Sequence, residues 1–135
     1  MHMEIPLTTK TAVKDNQETK NIVIQSEEEL PFLKQKDKRV EKAEFFKALG
    51  DETRLRIIGM LAIDDLCMCE IISGLNIPSS TVSHHLKLLE RGSVIESRKE
   101  GRFTVYRLQK EKVLPYLKLE LKKEGKYDGG IFMAE

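Results

Sequence analysis

Between Gly74 and Leu108 the spacing of apolar residues changes once, at Gly92. Upstream, Val82, Leu86 and Leu89 recur at three- and four-residue steps, the period of a helix with one buried face. Downstream, "SVIESRK" and "RFTVYRL" alternate, the period of half-buried strands, with Glu100 and Gly101 between them. A chain patterned in this way must run from a helix, about Ser79 to Arg91, into a β-hairpin. The preceding "GLNIP" reads as a tight turn: Gly74 can supply a left-handed helix end, and Pro78 fits near the first position of the next helix. A shorter helix leads into that turn, from Asp64 or Asp65 through Ile71 and Ile72.

The flanking segments are helical. From about Lys36, Val40, Ala43, Phe46 and Leu49 repeat at three-residue steps, Phe45 widens the stripe and Gly50 ends it. Asp51 is then a good N-cap for a helix with Leu55, Ile58, Leu61 and Ala62 on its apolar face. A last helix, about Glu111 to Lys123, carries Leu114, Leu117 and Leu121. Residues 1 to about 25 are polar and without periodicity; Ser26 and Glu29 could cap a helix that Pro31 would limit. The expected organisation is a flexible extension over 1–35, a mainly α domain with a small β-hairpin over 36–124, and a tail over 125–135.

With 135 residues the chain has room for one modest core. It contains no apolar run near the roughly 20 residues of a membrane span, and "MHMEIPLTTK" has neither the basic nor the apolar part of a signal peptide. A cytoplasmic protein without membrane contact is expected. The net charge of +1 is unevenly spread: residues 79–110 hold seven Lys and Arg against three Glu, whereas 41–78 hold four cations against seven acids. A local basic segment suits a polyanion.

A short helix, a turn and a second helix with a hydroxyl-rich first turn form a helix-turn-helix arrangement, the second helix being narrow enough for the major groove. Ser79, Ser80, Thr81, Ser83, His84 and Lys87 are the candidate DNA contacts on it, because short donors and acceptors let the backbone approach phosphates and base edges. Lys99 and Arg102 at the hairpin tip form a cationic finger for an adjacent stretch of backbone or minor groove. Ser-rich helix starts are commonly only caps, and basic hairpins commonly only solvated; the order of the segments favours the DNA reading. Double-stranded DNA is the expected partner. No Gly-rich phosphate loop or nucleophile with an orienting base supports an enzyme.

The two cysteines, Cys67 and Cys69, carry the remaining chemistry. Thiolates hold soft ions such as As(III), Cd or Zn. On a regular helix residues two apart point about 200° away from each other, so both could grip one ion only if the first turn bends, and that bend could shift the recognition helix. An exposed, low-pKa pair near a helix start could instead be oxidised, with no cofactor required, or both could be small buried hydrophobes. A small thiol oxidoreductase or metal carrier using the same pair is the competing class, and it leaves the basic hairpin unexplained.

"FFKALGDETRLRIIGML", "IPSSTVSHHLKLLERG" and "GRFTVYRL" closely resemble the winged helix-turn-helix repressors of the ArsR/SmtB family, over about residues 40–122. The resemblance implies a recognition helix at 79–91, a wing at 93–108, and a homodimer through the first and last helices, here the Phe45, Phe46, Leu49 and Leu114, Leu117, Leu121 faces. It implies binding to an imperfect inverted repeat with recognition helices about 34 Å apart. "DLCMCEI" looks like the family's metal box, which makes Cys67 and Cys69 ligands. The third cysteine of arsenic-type members falls at Ile72, the arm lacks the cysteines of cadmium-type members, and the last helix lacks the histidines of zinc-type members. Water, a small thiol, His2 or a partner subunit would have to complete the shell. His85 resembles the family's usual residue and reads as structural.

Overall fold

The computed structural model describes residues 10–118. The chain divides into two compact units, Met1–Arg39 and Val40–Glu135.

In the first unit, helix α1 (Asn16–Glu29) occupies part of the stretch read from sequence as patternless. Asp15 starts it: its carboxylate accepts from the Glu18 N–H at 2.8 Å, while the Glu18 carboxylate accepts from the Asp15 N–H at 2.9 Å. Ser26 lies inside this helix, donating to the Val23 carbonyl at 2.6 Å, and does not begin a new one. The helix gives way at Leu30 to a single 3-10 turn, Pro31–Lys34, where proline cannot continue the α pattern. No residue of α1 is buried.

The second unit carries all but the first turn of α2 (Lys36–Leu49), and then α3 (Glu52–Ile63), β1 (Leu66–Cys67), α4 (Met68–Leu75), α5 (Ser79–Arg91), β2 (Ile95–Glu100), β3 (Phe103–Leu108) and α6 (Lys110–Val113). It is mostly helical with a three-stranded antiparallel sheet in the order β1-β3-β2. The two-residue β1 was not expected. It pairs Leu66 with Tyr106 and Cys67 with Val105, placing β3 in the middle.

Helix α5 buries Val82, Leu86 and Leu89 as its periodicity requires, each burial contributing roughly 1.5–3 kcal/mol. In α3 the buried face is Ile57, Ile58 and Leu61; Leu55 is 42% exposed, so the stripe lies one residue from where spacing put it. In α2, Phe45 and Ala48 enter the core, and Val40 and Phe46 of the expected stripe face outward. The last helix is shorter than expected within the described residues: α6 ends at Val113 and Leu114–Tyr116 form a 3-10 turn, because Pro115 offers no N–H.

The helix ends also differ from expectation. The left-handed residue after α4 is Asn76 (φ 57°), not Gly74, which lies within the helix. After α5 it is Ser93 (φ 60°), with Val94 N–H donating to the Leu89 carbonyl and Ser93 N–H to that of Glu90, both at 2.9 Å, a Schellman closure. Gly92 has a different role. A Cβ there would stand 2.6 Å from the Glu44 carbonyl oxygen, so glycine is what lets α5 end against α2. Two residues, Gly101 (φ +63°) and Arg102, turn the hairpin between the Glu100–Phe103 pair.

Candidate DNA interface and thiol site

The α5 surface away from the core exposes Ser79, Ser80, His84 and Lys87 to solvent, with Thr81 and Ser83 half-buried beside them. The helix is held from behind by a buried arginine that sequence reading did not single out. Arg54, 8% exposed, donates from Nε to the Ala48 carbonyl (2.9 Å), from Nη2 to that of Lys47 (3.0 Å) and from Nη1 to Nδ1 of His85 (3.0 Å). It thereby caps the end of α2 and fixes His85 of α5 from α3. Because Nδ1 accepts, the imidazole proton belongs on Nε2. Burial pushes the His85 pKa down, with Asp51, 3.9 Å away, opposing. The Asp51 carboxyl is in turn held below its ordinary value, chiefly by the Arg54 backbone N–H it accepts. His85 is structural here, and His84 beside it points to solvent.

On the wing, the cations divide into two kinds. Arg98 is paired with Asp65 (2.9 Å) and Glu100 (2.7 Å), and Arg107 with Glu96 (3.1 Å). Lys99 and Arg102 are both exposed at the tip. Ser97 donates to Glu90 at 3.0 Å, fastening β2 to the end of α5.

The two sulfurs lie 2.7 Å apart. The expected 200° divergence does not arise, because Cys67 is not in the helix: it ends β1 in an extended conformation as the N-cap of α4, and Cys69 sits in the first turn. No bend is needed to bring them together. The Cys67 N–H donates to the Glu70 carboxylate at 3.0 Å, which fixes that turn. The Cys69 thiol is pushed up, first by its hydrogen bond with Cys67 and then by desolvation, so the low pKa expected of an oxidation-prone pair is not found at this residue. Both cysteines open into a cavity of about 470 Å³ whose floor is Val105 and Phe103 of the sheet and whose rim is Asp65, Arg98 and Glu100. Two sulfurs at a strand-helix junction fit the first half of a soft-ion site. Among the described residues no third His, Cys, Asp or Glu joins them in an arrangement able to hold an ion. His2 lies outside the described residues.

Of the expected dimer residues, Phe45 is only 4% exposed within one chain, while Phe46 is 47% exposed and packs edge-on to the half-exposed Tyr116, ring centroids 5.6 Å apart. Leu49, Leu114 and Leu117 are half-buried, and Leu121 lies outside the described residues.

Residues 51–96 match the family model described as "Bacterial regulatory protein, arsR family". The chain is 40% identical over 84 residues to an uncharacterized HTH-type transcriptional regulator of Methanocaldococcus jannaschii, a match covering 62% of this chain and 94% of that one. It is 37% identical over 79 residues to a cadmium resistance transcriptional regulatory protein CadC homolog of Staphylococcus aureus, covering 58% of this chain and 65% of that one, just under two thirds. Among solved structures, a homodimeric winged helix-turn-helix DNA-binding domain from Mycobacterium bovis superposes with a TM-score of 0.54 at 21% identity, covering 89% of this chain and 100% of that one. That likeness shows the winged helix-turn-helix fold.

Proposed function

The chain belongs to the ArsR family of DNA-binding transcriptional regulators, which are not enzymes, and from that premise we propose that it is a homodimeric repressor released from its operator when a soft metal or metalloid ion binds Cys67 and Cys69. The observation that carries this reading is the 2.7 Å approach of the two sulfurs at the junction of β1 and α4. One element of that junction pairs with the wing and the other packs on the recognition helix. The Staphylococcus aureus relative, named for cadmium resistance, supports a soft divalent ion as one candidate. As(III) and Zn(II) are the others.

Cys67 and Cys69 would supply two thiolates, each losing its proton as the ion is held; water, an exogenous thiol or the second subunit would complete the shell. Ser79, Ser80, Thr81, Ser83, His84 and Lys87 would meet an imperfect inverted repeat in the major groove, and Lys99 and Arg102 the flanking backbone. The dimer would form through the outward face of α2 and the Leu114–Tyr116 turn, with Phe46 and Tyr116 at its centre. Among the described residues no helix is long and apolar enough to cross a membrane, and the reading places the protein in the cytoplasm with its DNA.

The test is DNA binding by the reduced protein, titrated in parallel with As(III), Cd(II), Zn(II) and a mild oxidant, with Cys67→Ser and Cys69→Ser as controls. Release near stoichiometry by an ion, lost in both variants, supports the proposal. Release only by the oxidant, reversed by a dithiol, would replace it with a thiol redox switch, the reading favoured by two contacting sulfurs without a third ligand. Release by none of them leaves a regulator whose cysteines do not sense.

A further inference from the structure

Cys67, Val105 and Arg98 stand in one row across the sheet. Cys67 of β1 pairs with Val105 of β3, and Val105 pairs with Arg98 of β2. Paired residues of antiparallel strands project to the same face, and all three line the cavity into which the thiols open. Arg98 then reaches along and across that face. Its Nη1 is 2.9 Å from Asp65, two residues before Cys67, and its Nε is 2.7 Å from Glu100, the last residue of β2 before the hairpin turn. One guanidinium thus ties the segment leading into the thiol pair to the segment carrying Lys99 and Arg102.

The sulfurs are closer than a bound ion allows. Bonds of about 2.3 Å to a tetrahedral ion hold two sulfurs about 3.8 Å apart, against 2.7 Å here. Filling the site therefore parts the sulfurs by about 1 Å, and whatever part of that displacement rotation of the two side chains does not take up falls on β1 and the first turn of α4. β1 is only two residues long and is held to the sheet by β3 alone. Without a second tie, a shift of β1 could be absorbed locally. The Arg98 clasp makes that second tie, and it reaches the strand at the sheet's far edge.

Resting on the proposed thiol sensing, we propose that Arg98 is the positioning residue that couples ligand at Cys67 and Cys69 to the wing. It touches neither the ligand nor the DNA. Its pairing with Asp65 and Glu100 carries displacement of the Asp64–Cys67 segment to the hairpin tip. The signal therefore has a path to DNA that does not pass through α5.

The test uses the full chain, a duplex selected for binding from a random pool, and Cd(II) and arsenite as probes. Arg98→Met and Asp65→Asn are compared with wild type and with Arg98→Lys. Three quantities are read: DNA affinity without ligand, ligand stoichiometry from thiolate-to-metal absorbance or thiol titration, and the ratio of DNA affinities with and without ligand. Wild type should show a ratio of about tenfold or more, within the usual range of allosteric coupling. Arg98→Met and Asp65→Asn should reduce it to about twofold while leaving stoichiometry and unliganded affinity within about twofold; Arg98→Lys, which can keep one ion pair, should fall between. Full release in both Arg98→Met and Asp65→Asn would overturn the clasp while leaving thiol sensing intact. Loss of unliganded affinity in Arg98→Met, without loss in Asp65→Asn, would overturn it by making Arg98 a DNA contact. Failure of wild type to respond to either probe, or to Zn(II) added in their place, would remove the sensing reading on which the clasp depends.

Discussion

Nη1 of Arg54 lies 3.0 Å from Nδ1 of His85, 31 residues further along the chain, while the same guanidinium closes the carbonyl end of α2. The contact ties α5 to α3 and to the end of α2 beside the apolar face, Val82, Leu86 and Leu89, that turns toward the core. Replacing Arg54 with Met removes three hydrogen bonds and leaves buried acceptors without donors, a change of about 2–4 kcal/mol. Urea unfolding of Arg54→Met should show a lower midpoint with little change in slope; an unchanged midpoint would mean that water replaces the guanidinium.

The same pair makes stability depend on pH. Burial holds the His85 pKa below the ordinary histidine value of about 6.5, so between the two values the unfolded chain binds more protons than the folded one. The contribution is fully present above about pH 6.5 and is lost as pH falls from there through the lowered folded value. The unfolding midpoint should drop between pH 7.5 and pH 5.5 in wild type. In His85→Gln, which still accepts from Arg54 but does not titrate, the drop in this window should be smaller; an equal drop would place the titration elsewhere.

At the wing, the two kinds of cation predict different salt behaviour. Lys99→Ala and Arg102→Ala should each weaken DNA binding on all sequences and reduce the slope of log affinity against log salt by about one. Arg107→Ala, whose guanidinium is engaged with Glu96, should alter the slope by less. Equal slopes for all three would show that Arg107 leaves Glu96 for the phosphates.

Phe46 and Tyr116 expose about half their surface in one chain, apolar ring area that contact with a second subunit would remove from water. Phe46→Glu should raise the dimer dissociation constant at least about tenfold, measured by sedimentation velocity, because a carboxylate would be buried against its own symmetry mate. DNA affinity should fall with it. A variant that stays dimeric would move the interface to residues beyond this aromatic cluster.

Much of the fold was legible where periodicity is local. Val82, Leu86 and Leu89, the change of period at Gly92 and the hairpin all follow from neighbours in sequence. What escaped depends on distant partners. A two-residue strand carries no alternation, and β1 exists only because β3 lies beside it. Arg54 looks like one more charged helix residue until the α2 carbonyls and His85 close around it. Arg98 counts as a free cation until Asp65, 33 residues earlier, is placed against it. Helix α1 escaped for a different reason: its signal is the Asp15–Glu18 capping box, and no buried stripe accompanies it. The cysteines were found, but their geometry was misjudged by assuming that the helix begins before Cys67.

Cys67 stands at the N-cap of α4, so under the proposed thiol sensing, ligand binding and helix initiation would compete for one position. A thiol accepts hydrogen bonds weakly, and serine is among the best residues for starting a helix. Cys67→Ser should therefore melt no lower than wild type, and an unresponsive Cys67→Ser protein would have lost its chemistry and not its shape. On the proposed sensing reading, a lineage that no longer meets an inducer would gain from a one-atom exchange of sulfur for oxygen, and the switch would decay into a constitutive repressor without passing through a misfolded ancestor.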